Sequence, residues 1–212
     1  MTENTTEPRE TAPENSLAQA LQGRKLILAS ASPRRREFFR LLGVPFETRT
    51  CPVEENYPDD THDPEPIVEY LSRIKARAVP LDSPADIVVS ADTIVWADNR
   101  ALGKPHDRFQ AEEMLRSLSA RTHRVLTGVT LRDSRGEDTF HCSTLVRFAP
   151  ISAQDIRYYV ALFSPMDKAG AYGIQEWIGQ THIESIEGSY HNVVGLPTAQ
   201  LYERLKKFAS RE

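Results

Sequence analysis

The sequence predicts an α/β protein built on a mixed, twisted sheet flanked by helices. Three observations predict it. From Lys25 onward, short apolar runs of strand length alternate with stretches whose apolar residues recur at helical spacing. Two of the helical stretches open with a helix-start signal, Ser32-Pro33 and Asp63-Pro64. Two late strands, Arg124 to Leu131 and Thr139 to Phe148, are joined around "DSRGED" as a hairpin would be, so the sheet is not purely parallel.

Leu26, Ile27 and Leu28 read as a buried strand, and Ala29 to Ala31 are small enough for a tight turn. Ser32 is a good N-cap and Pro33 suits the first helical position. That helix carries Phe38, Leu41 and Leu42 on one face and stops at Gly43. Phe46 to Val53 reads as a strand ending at Glu54 and Glu55. "DPEPIVEYLSRIKARAV" places Ile67, Leu71, Ile74 and Ala78 on one helical face. Ile87 to Val89 is a buried strand, with Thr93 to Trp96 continuing toward an Asp-Asn turn. Ala111, Met114, Leu115 and Leu118 mark a further helix. Ser152 with Asp155 forms a capping box ahead of Ile156, Tyr159, Val160 and Phe163. A strand near Ile183 to Ile186 and a helix from Pro197 to Phe208 close the chain.

Residues 1–23 have the composition of a disordered tail, with four Glu, four Thr, two Pro and an apolar cluster only near Leu17 to Leu21, so that folding is expected in no more than its last turn or two. Residues 24–212 are expected to form one catalytic domain. The net charge of −4 excludes a protein that works mainly by neutralising nucleic-acid phosphates. No apolar run approaches the ~18 residues of a membrane helix. Cys51 and Cys142 stand apart without a CxxC, which points to a reducing cytoplasm and free, buried thiols.

Arg34, Arg35 and Arg36 fill the first turn of the Ser32 helix, the end where each cation costs roughly 0.3–1 kcal/mol. A strand, a small-residue turn and a helix N-terminus make an anion site, and guanidiniums added there suit a polyphosphate. Asp92 follows Val88 to Ala91, where a buried strand is expected to end and ligands collect. Glu54, Glu55, Lys75 and Lys104 complete a set of carboxylates and cations of the kind metal-assisted phosphoryl chemistry uses. Mg²⁺ takes one or two carboxylates plus substrate phosphates. In "DKAGAYGIQ", Asp167 to Gln175, small residues allow close approach, and the Gln175 amide matches the donor and acceptor edge of uracil or thymine. The six histidines lack metal-ligand spacing, and there is no GxxxxGK[ST] or GxSxG.

"LASASPRRREFFRLLG", "SADTIVWADNRALGKP", "LSARTHRVLTGVTL", "DKAGAYGIQ" and "IEGSYHNVVGLP" together resemble the Maf family of nucleoside triphosphate pyrophosphatases. The resemblance runs over residues 24–208 and is strongest to the dTTP/UTP branch. It implies a deep cleft between two lobes, as in inosine triphosphate pyrophosphatases. It implies hydrolysis of dTTP and UTP to the monophosphate and pyrophosphate, clearing non-standard nucleotides from the pool. Dependence on a divalent metal (Mg²⁺ or Mn²⁺) and a homodimer are implied as well. Carried over by residue, Arg34 and Arg35 bind the substrate's phosphates and Asp92 accepts a proton, while Ser32, the cap of that helix, is expected to contact the substrate beside them. Glu55, Lys75 and Lys104 complete the catalytic set, with Glu55 and Asp92 holding the metal. Thr93 and Gln175, with Arg34, set substrate choice. Glu176 follows Gln175 where many members have Gly, and adds a charge beside the expected base pocket. A pyrophosphatase for purine or modified-purine triphosphates, and a nucleotide-binding regulator of cell division, remain alternatives at this point.

Overall fold

A computed structural model describes residues 13–57 and 63–211. Strands β1 (Leu26–Leu28), β2 (Glu47–Thr48), β3 (Ile87–Ala97), β4 (Arg100–Leu102), β5 (Thr122–Asp133), β6 (Gly136–Phe148) and β7 (Ile183–Glu187) form one sheet. Its order is β2-β1-β3-β5-β6-β7, with β4 paired to β3. The β1 pairings with β2 and β3 are parallel, and the others are antiparallel. Helices α1 (Ser16–Leu21), α2 (Pro33–Leu41), α3 (Pro64–Ala78), α4 (Arg108–Leu118), α5 (Ala153–Phe163), α6 (Trp177–His182), α7 (Tyr190–Val194) and α8 (Thr198–Ala209) surround it. The mixed α/β expectation holds.

Strand β3 organises the molecule. Ile87, Val89 and Ala91 pack into a core with α1, α2 and α8, while Val95 packs into a second core with α4 and α5. Thr93 lies between the two on the same face, so the two lobes share a strand and part at that residue. On the opposite face Ile94 and Trp96 meet Ile67, Val68 and Leu71 of α3. The approach of α3 is unusually close. A Cβ on Gly128 would stand 2.1 Å from the Val68 carbonyl oxygen, so only glycine fits there. Gly128 is the cross-strand partner of Asp92.

Asp92 does not end a strand, as its flanking residues predict, because β3 runs on to Ala97. What ends is its neighbour. The β1 ladder stops at Leu28 opposite Val89, and β4 takes up the same edge only at Val95. Between them one edge of β3 has no strand partner among the described residues. The turn from β3 to β4 places Asp98 and Asn99 at φ 50° and 56°, the left-handed pair that a tight hairpin needs.

Two expectations need correction. The strand expected over Phe46 to Val53 pairs only at Glu47–Thr48. Thr50, Cys51, Pro52 and Val53 leave the sheet to line a cleft, so Glu55 sits on a loop. For the tail over residues 1–23 the sequence predicts folding only in its last turn or two. Residues 1–12 lie outside the described residues, but Ser16–Leu21 is helical. Asn15 Oδ1 caps that helix, accepting from the N–H groups of Leu17 and Ala18 at 3.0 Å. Leu17 and Leu21, one turn apart, are buried against Leu201, Leu205 and Phe208 of the core. Burying two leucines offsets the ordering entropy that the polar composition overstated. Cys51 is exposed and Cys142 half-buried, both free, so the expectation of buried thiols fails for Cys51. No helix among the described residues is long and apolar enough to cross a membrane.

Candidate active site

The open edge of β3 is the floor of a cleft of about 860 Å³. Its walls come from the β1–α2 turn, the loop after β2, α3, the Gly103–Lys104 turn, and the stretch from Asp167 to Gln175. Ser32, Arg34, Arg35, Glu55, Lys75, Asp92, Thr93, Lys104 and Gln175 all line it. Arg36 does not. The residues singled out in the sequence thus meet at one place, though they span more than half the chain.

Ser32 caps α2, its hydroxyl accepting from the Arg35 N–H at 3.4 Å. The two arginines beyond it serve different ends. Arg35 is tied into the protein, with Nε donating to the Gly195 carbonyl at 2.9 Å, Nη1 to the Ala91 carbonyl at 2.7 Å and Nη2 to Thr93 Oγ1 at 2.9 Å. It satisfies the carbonyl that β3 leaves unpaired at its open edge. Burial lowers its pKa, and the nearby Asp92 carboxylate works against that. Arg34 reaches across the cleft to Asp167 Oδ2 at 2.8 Å, a half-exposed ion pair that an incoming anion can compete for.

On the other face of β3, Lys75 Nζ lies 2.5 Å from Asp92 Oδ1 and 2.9 Å from Glu55 Oε1. Asp92 is nearly enclosed, whereas Glu55 reaches toward solvent. The glycine at 128 lets α3 lie close enough for this contact. One ammonium shared by two carboxylates leaves a net negative pair, each with a second oxygen turned elsewhere. Lys104 is exposed at the rim. Gln175 is partly buried, and its Oε1 is enclosed by the protein without a hydrogen-bond partner.

Glu176, next to Gln175, is one-fifth exposed. It is absent from the cleft lining, and its carboxylate is held from behind by Lys168 and Tyr159. Its charge is therefore not open to the cleft. Tyr172 and Lys168, which also line the cleft, received no role from the sequence alone. Their place in the small-residue stretch beside Gln175 was the available signal.

The Maf-like protein family profile matches residues 25–208, which takes in every strand and every cleft residue described above. The chain belongs to the Maf family. Maf relatives named dTTP/UTP pyrophosphatase are similar over nearly their full length. The one from Bacteroides thetaiotaomicron is 50% identical over 86% of this chain and 95% of its own. That from Phocaeicola vulgatus is 46% identical over 90% and 100%, and that from Porphyromonas gingivalis 46% over 87% and 94%. The solved Staphylococcus aureus Ham1 protein overlays this Maf-family chain at 13% identity and a TM-score of 0.41, covering 59% of this chain and 72% of its own.

Proposed function

We propose that this Maf-family protein hydrolyses nucleoside triphosphates, dTTP and UTP foremost, to the monophosphate and pyrophosphate, acting in the cytoplasm. The observation that carries the reading is the Lys75-bridged Asp92–Glu55 pair on the floor of a cleft whose rim is the arginine-bearing start of α2. The close relatives named for that activity support the substrate.

The triphosphate lies across the N-terminus of α2, where the Arg34 guanidinium and the positive end of the helix meet its charge. Lys104 reaches it from the rim and Lys75 from the floor. Asp92 has its Oδ1 on Lys75, and its second oxygen takes the proton of a water that attacks the α-phosphorus. The bond from that phosphorus to the bridging oxygen breaks, and pyrophosphate leaves with the electron pair. Lys75 steadies the Asp92 carboxylate, and Arg35 braces the wall without needing to touch substrate. Glu55 and Asp92 fit a divalent cation such as Mg²⁺ or Mn²⁺, which takes two carboxylates plus phosphates and would offset charge on the phosphate oxygens.

The test is pyrophosphate release from a panel of pyrimidine and purine triphosphates, with and without chelator. Release from dTTP and UTP, abolished by chelator and lowered about 100- to 10,000-fold in Asp92→Asn, is the expected result. Activity confined to purine substrates would overturn the pyrimidine reading.

A further inference from the structure

Arg34 and Lys168 are cations of the cleft wall, and both are already partnered. Asp167 stands between them, with Oδ2 2.8 Å from Arg34 Nη1 and Oδ1 2.6 Å from Lys168 Nζ. Lys168 Nζ also lies 3.0 Å from Glu176 Oε1. The row Arg34–Asp167–Lys168–Glu176 alternates in sign, and its formal charges cancel. A polyphosphate arriving at this wall gains little from it until the row opens.

The row opens most readily at Arg34. The Asp167 side chain is 56% exposed and that of Arg34 27%, whereas that of Lys168 is 9% exposed, so water screens the outer contact more than the inner one. Asp167 takes a single hydrogen bond from the Arg34 side chain, and a guanidinium has further donors to offer a phosphate. The carboxylate that Arg34 leaves is not stranded, because Lys168 keeps its other oxygen. Burial pushes the Asp167 pKa up, but Lys168 and then Arg34 outweigh it and hold the carboxyl below its ordinary range. Asp167 therefore remains an anion on the cleft wall beside whatever anion has taken its partner.

We propose that Asp167 is a built-in competitor for Arg34: it contests the guanidinium with the ligand's phosphates and so loosens every polyphosphate in the cleft, the departing pyrophosphate included. The naming of pyrophosphate as product rests on the nucleotide reading above. A wall that gathered Arg34, Lys75 and Lys104 without a competitor would hold product phosphates as firmly as those of the substrate, and such uniform binding does nothing for turnover. A carboxylate anchored on Lys168 is in place to retake Arg34 as pyrophosphate leaves. A carboxylate that instead held a metal or a hydroxyl of the ligand would strengthen binding, so the two roles differ in sign.

The experiment measures, by isothermal titration calorimetry at fixed Mg²⁺, the binding of inorganic pyrophosphate and tripolyphosphate to the wild type, Asp167→Asn, Arg34→Ala and the double variant, with KM for dTTP beside it. Asp167→Asn is expected to bind both anions about three- to tenfold more tightly and to lower KM for dTTP with them. In the Arg34→Ala background the same change is expected to move binding by less than about twofold, because the contested partner is gone. Asp167→Ala, at a half-exposed position, stands in if Asp167→Asn does not fold. Weaker or unchanged binding in Asp167→Asn overturns the competitor. Equal tightening without Arg34 overturns it too, since general charge alone would then account for the effect, and so does a failure of both wild type and Asp167→Asn to bind either anion. A wild type that binds tripolyphosphate and turns over neither dTTP nor UTP overturns the functional reading instead, while the binding comparison still decides the role of Asp167.

Discussion

Arg34 donates to Asp167 across the cleft, while Arg35 donates from all three guanidinium nitrogens to Gly195, Ser30, Ala91 and Thr93. Their substitutions should therefore separate. Arg34→Ala is expected to fold as the wild type does and to raise KM about 10- to 100-fold, the worth of a charge-assisted contact to phosphate. Arg35→Ala strands the Ala91 and Gly195 carbonyls and is expected to cost about 3 kcal/mol of stability, read by urea unfolding. From the sequence the two look alike, since adjacent arginines at a helix start share the same local signal. What divides them is the partner each finds far along the chain, at Asp167 for one and Gly195 for the other, and no local pattern encodes that.

At the scale of elements, α3 carries Lys75 to Asp92 only because position 128 has no side chain. Gly128→Ala forces the Val68 backbone away and is expected to cost at least about 1–3 kcal/mol. It should also depress activity, since Lys75 retreats with the helix. Thermal unfolding and pyrophosphate release on the same sample check both. The caps of α2 and α5 and the β5–β6 hairpin were readable because their signals lie within a few residues of the structure they specify. Helix α1 was readable only as an apolar cluster that allowed a last turn or two, because its two leucines gain their worth against α8, far along the chain. The short length of β2 escaped for a related reason: whether Phe46 to Val53 stays in the sheet depends on how far β1 runs beside it.

Across the whole molecule, Asp133 ties Arg24, just before β1, to Arg211, just after α8. Its fully enclosed carboxylate lies 2.6 Å from Arg24 and 2.5 Å from Arg211. Burial pushes its pKa up, but these guanidiniums and the Arg135 N–H outweigh it and hold the group at about 2. A carboxyl depressed below its ordinary 3.8 stabilises the fold fully above about pH 4 and loses that contribution as the pH falls toward 2. The amount is about 2 kcal/mol, and urea unfolding across that window should show it in the wild type but not in Asp133→Asn.

The lobes that flank the cleft part at Thr93, yet β3 passes beneath both without a break. The groove is thus less like a jaw with a hinge than like a notch cut in a single board. Because both walls hang on that one strand, a change in its twist beside Thr93 would be felt on the two sides of the groove at once.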